Sequence, residues 1–284
     1  MSSTDEHASR AALRTARRVC VKAGTAVVAN ENGRPSLTRV GAIAEQISEL
    51  KDAGVEVIFV SSGAVDMGTR VLNNQRRLHM SFKDMQEEGT KFDEASAFEE
   101  PSTLLTHKEN AVTRNSSFVS LLESHTRPHT SAEKKKFYDS ACAAAGQFEM
   151  MNLYSALFNQ CDVTASQVLV TQADFTDPSR LKNLKYTVER LLKLGILPII
   201  NENDAVSGNM GYTADDVFSD NDSLAGICAR NFDAEVLLLL TDVEGVFDQP
   251  PSNPGAKLLD IYVDNTSAVE IGEKSSQGAS EFQN

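Results

Sequence analysis

The sequence predicts an α/β protein: a three-layer αβα sandwich with helices on both faces of a mostly parallel central sheet. Three observations predict it. Short apolar runs of strand length recur at Val19-Cys20-Val21, Val55–Val60, Gln167–Val170, Ile196–Ile200 and Glu235–Leu240. Between them stand stretches with apolar residues at helical spacing, and that alternation of strand and helix calls for parallel pairing with right-handed crossovers. The runs also end abruptly in polar or small residues, the position at which open α/β sheets hold their ligands.

Taken in order, residues 1–17 read as a flexible leader. Val19-Cys20-Val21 forms the first strand and ends in Lys22-Ala23-Gly24-Thr25, so an ammonium stands beside backbone amides that an anion can approach closely. Leu37–Ala53 reads as a helix with Val40, Ile43, Ile47 and Leu50 on one face and Gly54 as a left-handed cap. Val55–Val60 repeats the first design: its end, Ser61-Ser62-Gly63-Ala64, opens a helix whose amino terminus favours negative charge. Asn73–Phe137 is polar, with an acidic patch at Asp84–Glu100 and the basic run Lys134-Lys135-Lys136, and reads as an insertion outside the sheet. His125 and His129 within it lack a third metal ligand.

Regular structure resumes with an Ala-rich helix over Tyr138–Asn159, whose small residues allow close packing against the sheet. Asp177-Pro178-Ser179 opens the next helix, with proline in its first turn and Gly195 closing it. Strand Ile196–Ile200 then runs into Asn201-Glu202-Asn203-Asp204. A second polar cluster, Asp220-Asn221-Asp222, stands directly before a helical stretch carrying Leu224, Ile227 and Cys228, where its first residues can cap the helix. The last strand ends in Thr241-Asp242.

Composition narrows the function. The formal charge of −13 argues against a general nucleic-acid binder, because affinity for the phosphate backbone comes from clustered Lys and Arg. No apolar run is long enough to span a membrane and no secretory signal opens the chain, so a cytoplasmic location is expected. The four cysteines, Cys20, Cys142, Cys161 and Cys228, form no C-x-x-C pair and read as small core fillers. The fingerprints of P-loop kinases, dinucleotide enzymes, serine hydrolases and zincins are all missing from the sequence.

Val21–Thr25, Val60–Val65, Ala145-Gly146-Gln147, Ile199–Val206, Ser219–Leu224 and Leu238–Gly245 together resemble the glutamate 5-kinases of the amino acid kinase superfamily. The same module forms the kinase half of pyrroline-5-carboxylate synthases. The resemblance covers roughly residues 18–72 and 138–265, and its most specific part is Asn-Glu-Asn-Asp-Ala-Val followed by Asp-Asn-Asp. It implies an amino acid kinase-like fold and transfer of the γ-phosphoryl of ATP, with Mg2+, to the side-chain carboxylate of L-glutamate. That is the first step of proline biosynthesis. The implied catalytic residues are Lys22 on the phosphates, Asp222 orienting it, and the Gly24 and Gly63 amides cradling the moving group. Ser62, Asp204 and Asn221, with neighbouring Asp220, are the implied glutamate site. Lys22, Thr241 and Asp242 are the implied nucleotide contacts.

The resemblance also implies a homo-oligomer and feedback inhibition by proline. In the family a Gly-Gly-Met loop and a second lysine follow the segment that matches Gly272–Phe282, and the chain stops at Asn284 without them. It is therefore expected to be one kinase domain over 18–284, truncated at its C-terminus, unless it has lost a catalytic cation. The alternatives are an inactive glutamate- or proline-binding relative and another kinase of the same superfamily, acting on aspartate, acetylglutamate, carbamate or UMP.

Overall fold

The structure is a computed structural model, described over residues 13–30, 34–79, 131–207, 221–249, 253 and 255–259. The leader to residue 12, the centre of the expected insertion with His125 and His129, Asp220, and Gly272–Phe282 lie outside the described residues.

In chain order the elements are β1 (Arg18–Ala23), α1 (Thr25–Val28), α2 (Leu37–Asp52), β2 (Glu56–Ser61), α3 (Ala64–His79), α4 (Ser131–Gln160) and β3 (Ala165–Val170). There follow α5 (Gln172–Thr176), α6 (Pro178–Lys193), β4 (Leu197–Glu202), α7 (Asn221–Asn231) and β5 (Val236–Leu240). The strands form one sheet of order β3-β4-β2-β1-β5 in which every pairing is parallel.

The chain divides into two compact units. The first contains residues 1–63, 150–203 and 212–284, and holds the whole sheet. Alternation along the strands sends side chains to opposite faces. Cys20, Ile58, Val60, Val170 and Ile200 form one buried cluster with Val188 and Leu192 of α6 and Leu224, Ala225 and Cys228 of α7. The other face is aromatic. Phe59 stands edge-on to Tyr154 at 5.4 Å and to Phe158 at 6.0 Å, both from the end of α4, and Ser48 of α2 donates to the Cys161 carbonyl at 2.9 Å. Helices on both faces of a parallel sheet are the three-layer arrangement the apolar runs predict.

The second unit contains residues 64–149 and 204–211. Here α3 and the first part of α4 pack backbone to backbone. A Cβ on Gly68 would fall 1.6 Å from the Cys142 carbonyl oxygen, and one on Gly146 would fall 1.7 Å from that of Ala64. The small residues of α4 thus serve α3, whereas the sequence pattern assigns them to the sheet.

Local signals set most boundaries. Asp177 accepts from the Ser179 and Arg180 amides at 2.8 and 3.0 Å, so it caps α6 with Pro178 at the first position. Gly54 and Gly195 adopt φ of +83° and +71° after α2 and α6, as left-handed caps require. Three boundaries differ from those the sequence predicts. Helix α3 continues to His79 and α4 begins at Ser131, so both extend into the stretch expected as an insertion. Asn201 and Glu202 are the last residues of β4, both buried, because their partners Leu169 and Val170 extend β3 equally far. Helix α5 is a single short turn held by a reciprocal cap between Thr171 and Asp174, too brief for periodicity to reveal.

Candidate functional site

Parallel pairing in register brings strand ends together. Ala23 lies opposite both Ser61 and Leu240, and Val60 lies opposite Ile200. The tips of β1, β2, β4 and β5 therefore line one rim of the sheet, and the expectation that the first two tips face the same edge holds. Lys22-Ala23-Gly24, Ser61-Ser62-Gly63, Asn201-Glu202-Asn203 and Thr241-Asp242 stand along it.

Lys22 is the cation of this rim. As the last-but-one residue of β1 it is 8% exposed, and its Nζ lies 2.7 Å from Asp222 Oδ1 in the first turn of α7. A buried ammonium needs such a partner, since desolvation without one is expensive. The Asp222 side chain is 46% exposed, so the pair opens toward solvent on the carboxylate side. Gly24 explains how the lysine folds over. A Cβ there would stand 2.9 Å from Lys22 Nζ, which leaves the ammonium directly above the glycine. Any other residue at 24 would push it away.

The neighbouring tip is organised by hydroxyls. Ser62 is buried, its Oγ 3.3 Å from Thr25 Oγ1 and 3.5 Å from the Ala23 carbonyl oxygen, which joins the two loops. Gly63 has φ of +108°, and its nearest neighbours sit at ordinary contact distance, so backbone conformation is what demands glycine. The Gly63 amide has no backbone acceptor among the described residues.

Asn221 is the first residue of α7 and adjoins Asp222. Its Oδ1 is buried without a hydrogen-bond partner among the described residues, and so is Oδ1 of Asn201 at the end of β4, whose Nδ2 donates to the Glu202 carbonyl at 2.8 Å. Buried acceptors without donors are uncommon in native proteins and favour a ligand that donates. Thr241 and Asp242 are exposed directly beyond β5, with Thr241 Oγ1 accepting from the Val243 amide at 3.3 Å. Thr241 also lines an open hollow of about 410 Å3 between β5 and α2, walled by Val27, Ala42, Ile43 and Leu239 with Arg39 and Gln46 as its polar groups.

Asp204 belongs to the second unit and follows Asn203 directly in the chain. Desolvation pushes its carboxyl up to about 6. Such a carboxylate gains from a bound cation, because a nearby positive charge favours the ionised form that burial disfavours.

Lys22, Gly24, Ser62, Gly63, Asn221, Asp222, Thr241 and Asp242 thus all belong to the unit that holds the sheet. Sequence pattern places Thr25, Ser61 and Asn201 within the polar strand ends without assigning them a contact, and it does not single out Tyr154. Only the doubled serine after an apolar run hints at Ser61; a hydrogen bond between positions 61 and 154 leaves no local pattern.

Residues 17–281 match the model of the amino acid kinase family. Delta-1-pyrroline-5-carboxylate synthase 1 of Oryza sativa subsp. japonica is 39% identical over 282 residues, covering 98% of this chain and 33% of that protein. Delta-1-pyrroline-5-carboxylate synthase A of Arabidopsis thaliana is 38% identical over 95% of this chain and 32% of its own length. Glutamate 5-kinase 2 of Bacillus subtilis is 33% identical over 89% of this chain and 53% of its own length. The chain spans about a third of the length of the synthases and about half that of the bacterial kinase.

Proposed function

The chain belongs to the amino acid kinase family, and on that premise we propose that it transfers the γ-phosphoryl group of ATP to the side-chain carboxylate of L-glutamate, forming L-glutamyl 5-phosphate. The observation that carries this reading is the 2.7 Å pair of Lys22 and Asp222, held over Gly24 at the rim the β2 tip shares. The similarity to proteins named glutamate 5-kinase and pyrroline-5-carboxylate synthase supports the choice of acceptor and a place in proline biosynthesis.

The chemistry asks little of the protein in covalent terms. An oxygen of the glutamate side-chain carboxylate bonds to the γ-phosphorus while the bond to the β,γ-bridging oxygen breaks, and ADP departs with that oxygen. The acceptor is already ionised at neutral pH, so no general base is needed. What remains is bringing two anions together and spreading the charge on the moving group. Lys22 supplies the cation, and the Gly24 and Gly63 amides supply donors that need no reorganisation. Asp222 holds the ammonium in place. Asp204 takes the α-ammonium of glutamate, Ser62 and Asn221 take its polar groups with Asp220 beside them, and Thr241 with Asp242 takes the nucleoside.

In this reading Mg2+ would arrive with the nucleotide and would supply charge neutralisation on its phosphates. The same reading makes the protein one kinase domain over 18–284 with a polar insertion at 73–137, a cytoplasmic homo-oligomer, and a target of inhibition by proline, which shares the α-carboxylate and α-nitrogen of glutamate. Among the described residues no helix is long and apolar enough to cross a membrane.

Purified protein mixed with ATP, Mg2+ and glutamate is expected to release ADP, and hydroxylamine is expected to trap the acyl phosphate as a hydroxamate. Glutamate binding without either product would instead support a non-catalytic binding protein.

A further inference from the structure

Beneath the β2 tip lies a buried pair of hydroxyls that the reaction above does not use. Ser61 is fully buried, and its Oγ stands 2.5 Å from Tyr154 Oη and 3.3 Å from the carbonyl oxygen of Ser62. Tyr154 is 1% exposed, and its ring packs in the apolar cluster with Phe59 and Phe158. Phenylalanine would fill that space equally well, and a phenol in such surroundings costs desolvation unless its hydroxyl is satisfied. Its satisfied partner is Ser61. Burial also pushes the Tyr154 phenol up to about 12, so it remains a donor at any working pH.

The protons can be assigned. A hydroxyl has one hydrogen to give and lone pairs to receive. If Tyr154 donates to Ser61 Oγ, the Ser61 hydrogen is free for the Ser62 carbonyl, with the Met150 sulfur at 3.7 Å as the weaker competitor. That carbonyl shares a peptide plane with the Gly63 amide.

We propose that Tyr154 and Ser61 are positioning residues, a buried hydroxyl relay that fixes the Ser62–Gly63 peptide and polarises it so that the Gly63 N–H is a stronger, better aimed donor. Hydrogen bonds in series strengthen one another, so a donor on the peptide oxygen improves the donor on its nitrogen. Gly63, at φ of +108°, has no side chain to resist rotation of this peptide. The relay supplies the restraint that the glycine lacks. The role of the Gly63 amide in phosphoryl transfer rests on the kinase reading; the control of its geometry does not.

The test has two arms. In the first, selectively labelled protein reports the amide resonance of Gly63. Tyr154→Phe and Ser61→Ala are each expected to move it, and the double variant is expected to move it no further, while the packing control Phe158→Leu leaves it in place. In the second, Tyr154→Phe and Ser61→Ala are expected to lower kcat by about five- to tenfold with KM for glutamate nearly unchanged, within what small misplacements produce. Should Tyr154→Phe fail to fold, Ser61→Ala carries both comparisons. A Gly63 resonance that stays put in the folded variants overturns the relay, as does one displaced equally by Phe158→Leu. A wild type without turnover overturns the kinase reading instead, and the resonance comparison then decides the relay alone.

Discussion

At the scale of single residues, the site is governed by one ammonium and what surrounds it. Lys22 is enclosed by its strand and by Asp222, and the glycine two positions on leaves room for it to fold back. Lys22→Ala is expected to lower turnover by at least about 100-fold, as loss of one preorganised charge-stabilising group does. Circular dichroism and thermal melting should show an intact fold, because the stem leaves from a strand tip and its partner carboxylate is half exposed to water. Asp204 offers a pH signature. With its carboxyl pushed up to about 6, the ionised form that an ammonium requires is lost as pH falls through 6, so KM for glutamate should rise about tenfold per unit below that point. The stability effect has the opposite sense. A carboxyl whose folded-state pKa is raised binds its proton more tightly when folded, so ionisation as pH rises from about 4 to about 6 destabilises the native state. Asp204→Asn should therefore raise Tm at pH 7 and have little effect near pH 4, measured by calorimetry, while weakening glutamate binding.

At the scale of elements, glycines separate those that permit a contact from those that fill space. In α3 and α4, Gly68 and Gly146 sit where a single methyl would meet a carbonyl oxygen of the facing helix. Gly146→Ala is expected to destabilise by about 3 kcal/mol or more, since neither backbone can yield without separating the helices. Gly226 in α7 and Gly41 in α2 face open space, with nothing within 4 Å of where a methyl would stand, and alanine there should stabilise by about 0.5–1 kcal/mol through helix propensity alone. Denaturant melts of the three variants give the comparison directly. This scale also shows what is legible in sequence. β1, β2 and β4 are readable because strands buried on both faces are near-continuous apolar runs, β5 because it is equally apolar although Leu238 and Leu239 are exposed, and α6 because Asp177, Pro178 and Gly195 punctuate it. Helix α5 is not readable, since so short an element carries no periodicity. The path of α4 from one packing partner to another, the sheet order and the Ser61–Tyr154 bond depend on which distant segments meet, and a one-dimensional pattern does not record that. The Lys22–Asp222 pairing becomes an expectation only through resemblance, because the lysine and its partner stand in separate motifs.

At the scale of the whole molecule, the opposite rim of the sheet is closed by charge. Arg18 opens β1 and is mostly buried, with Nη1 2.5 Å from both Glu189 Oε1 and the Phe232 carbonyl oxygen, and Nε 2.8 Å from Glu56 Oε2. One guanidinium thereby ties β1 to β2, to α6 and to the turn after α7. The carboxylates are 37–38% exposed, so water screens part of the interaction. Arg18→Leu should cost about 1–3 kcal/mol in denaturant unfolding, yet leave kcat/KM unchanged, because Lys22 lies four strand residues and about 13 Å away. The strand that carries both residues has a further consequence. One flank pairs with β2, close by in the chain, and the other with the distant β5, and Arg17 reaches Glu235 across 218 positions. During vectorial synthesis the lysine-bearing strand must wait, half unpaired, until β5 has left the ribosome. Chaperone dependence and slow refolding are the expected outcome of such high contact order.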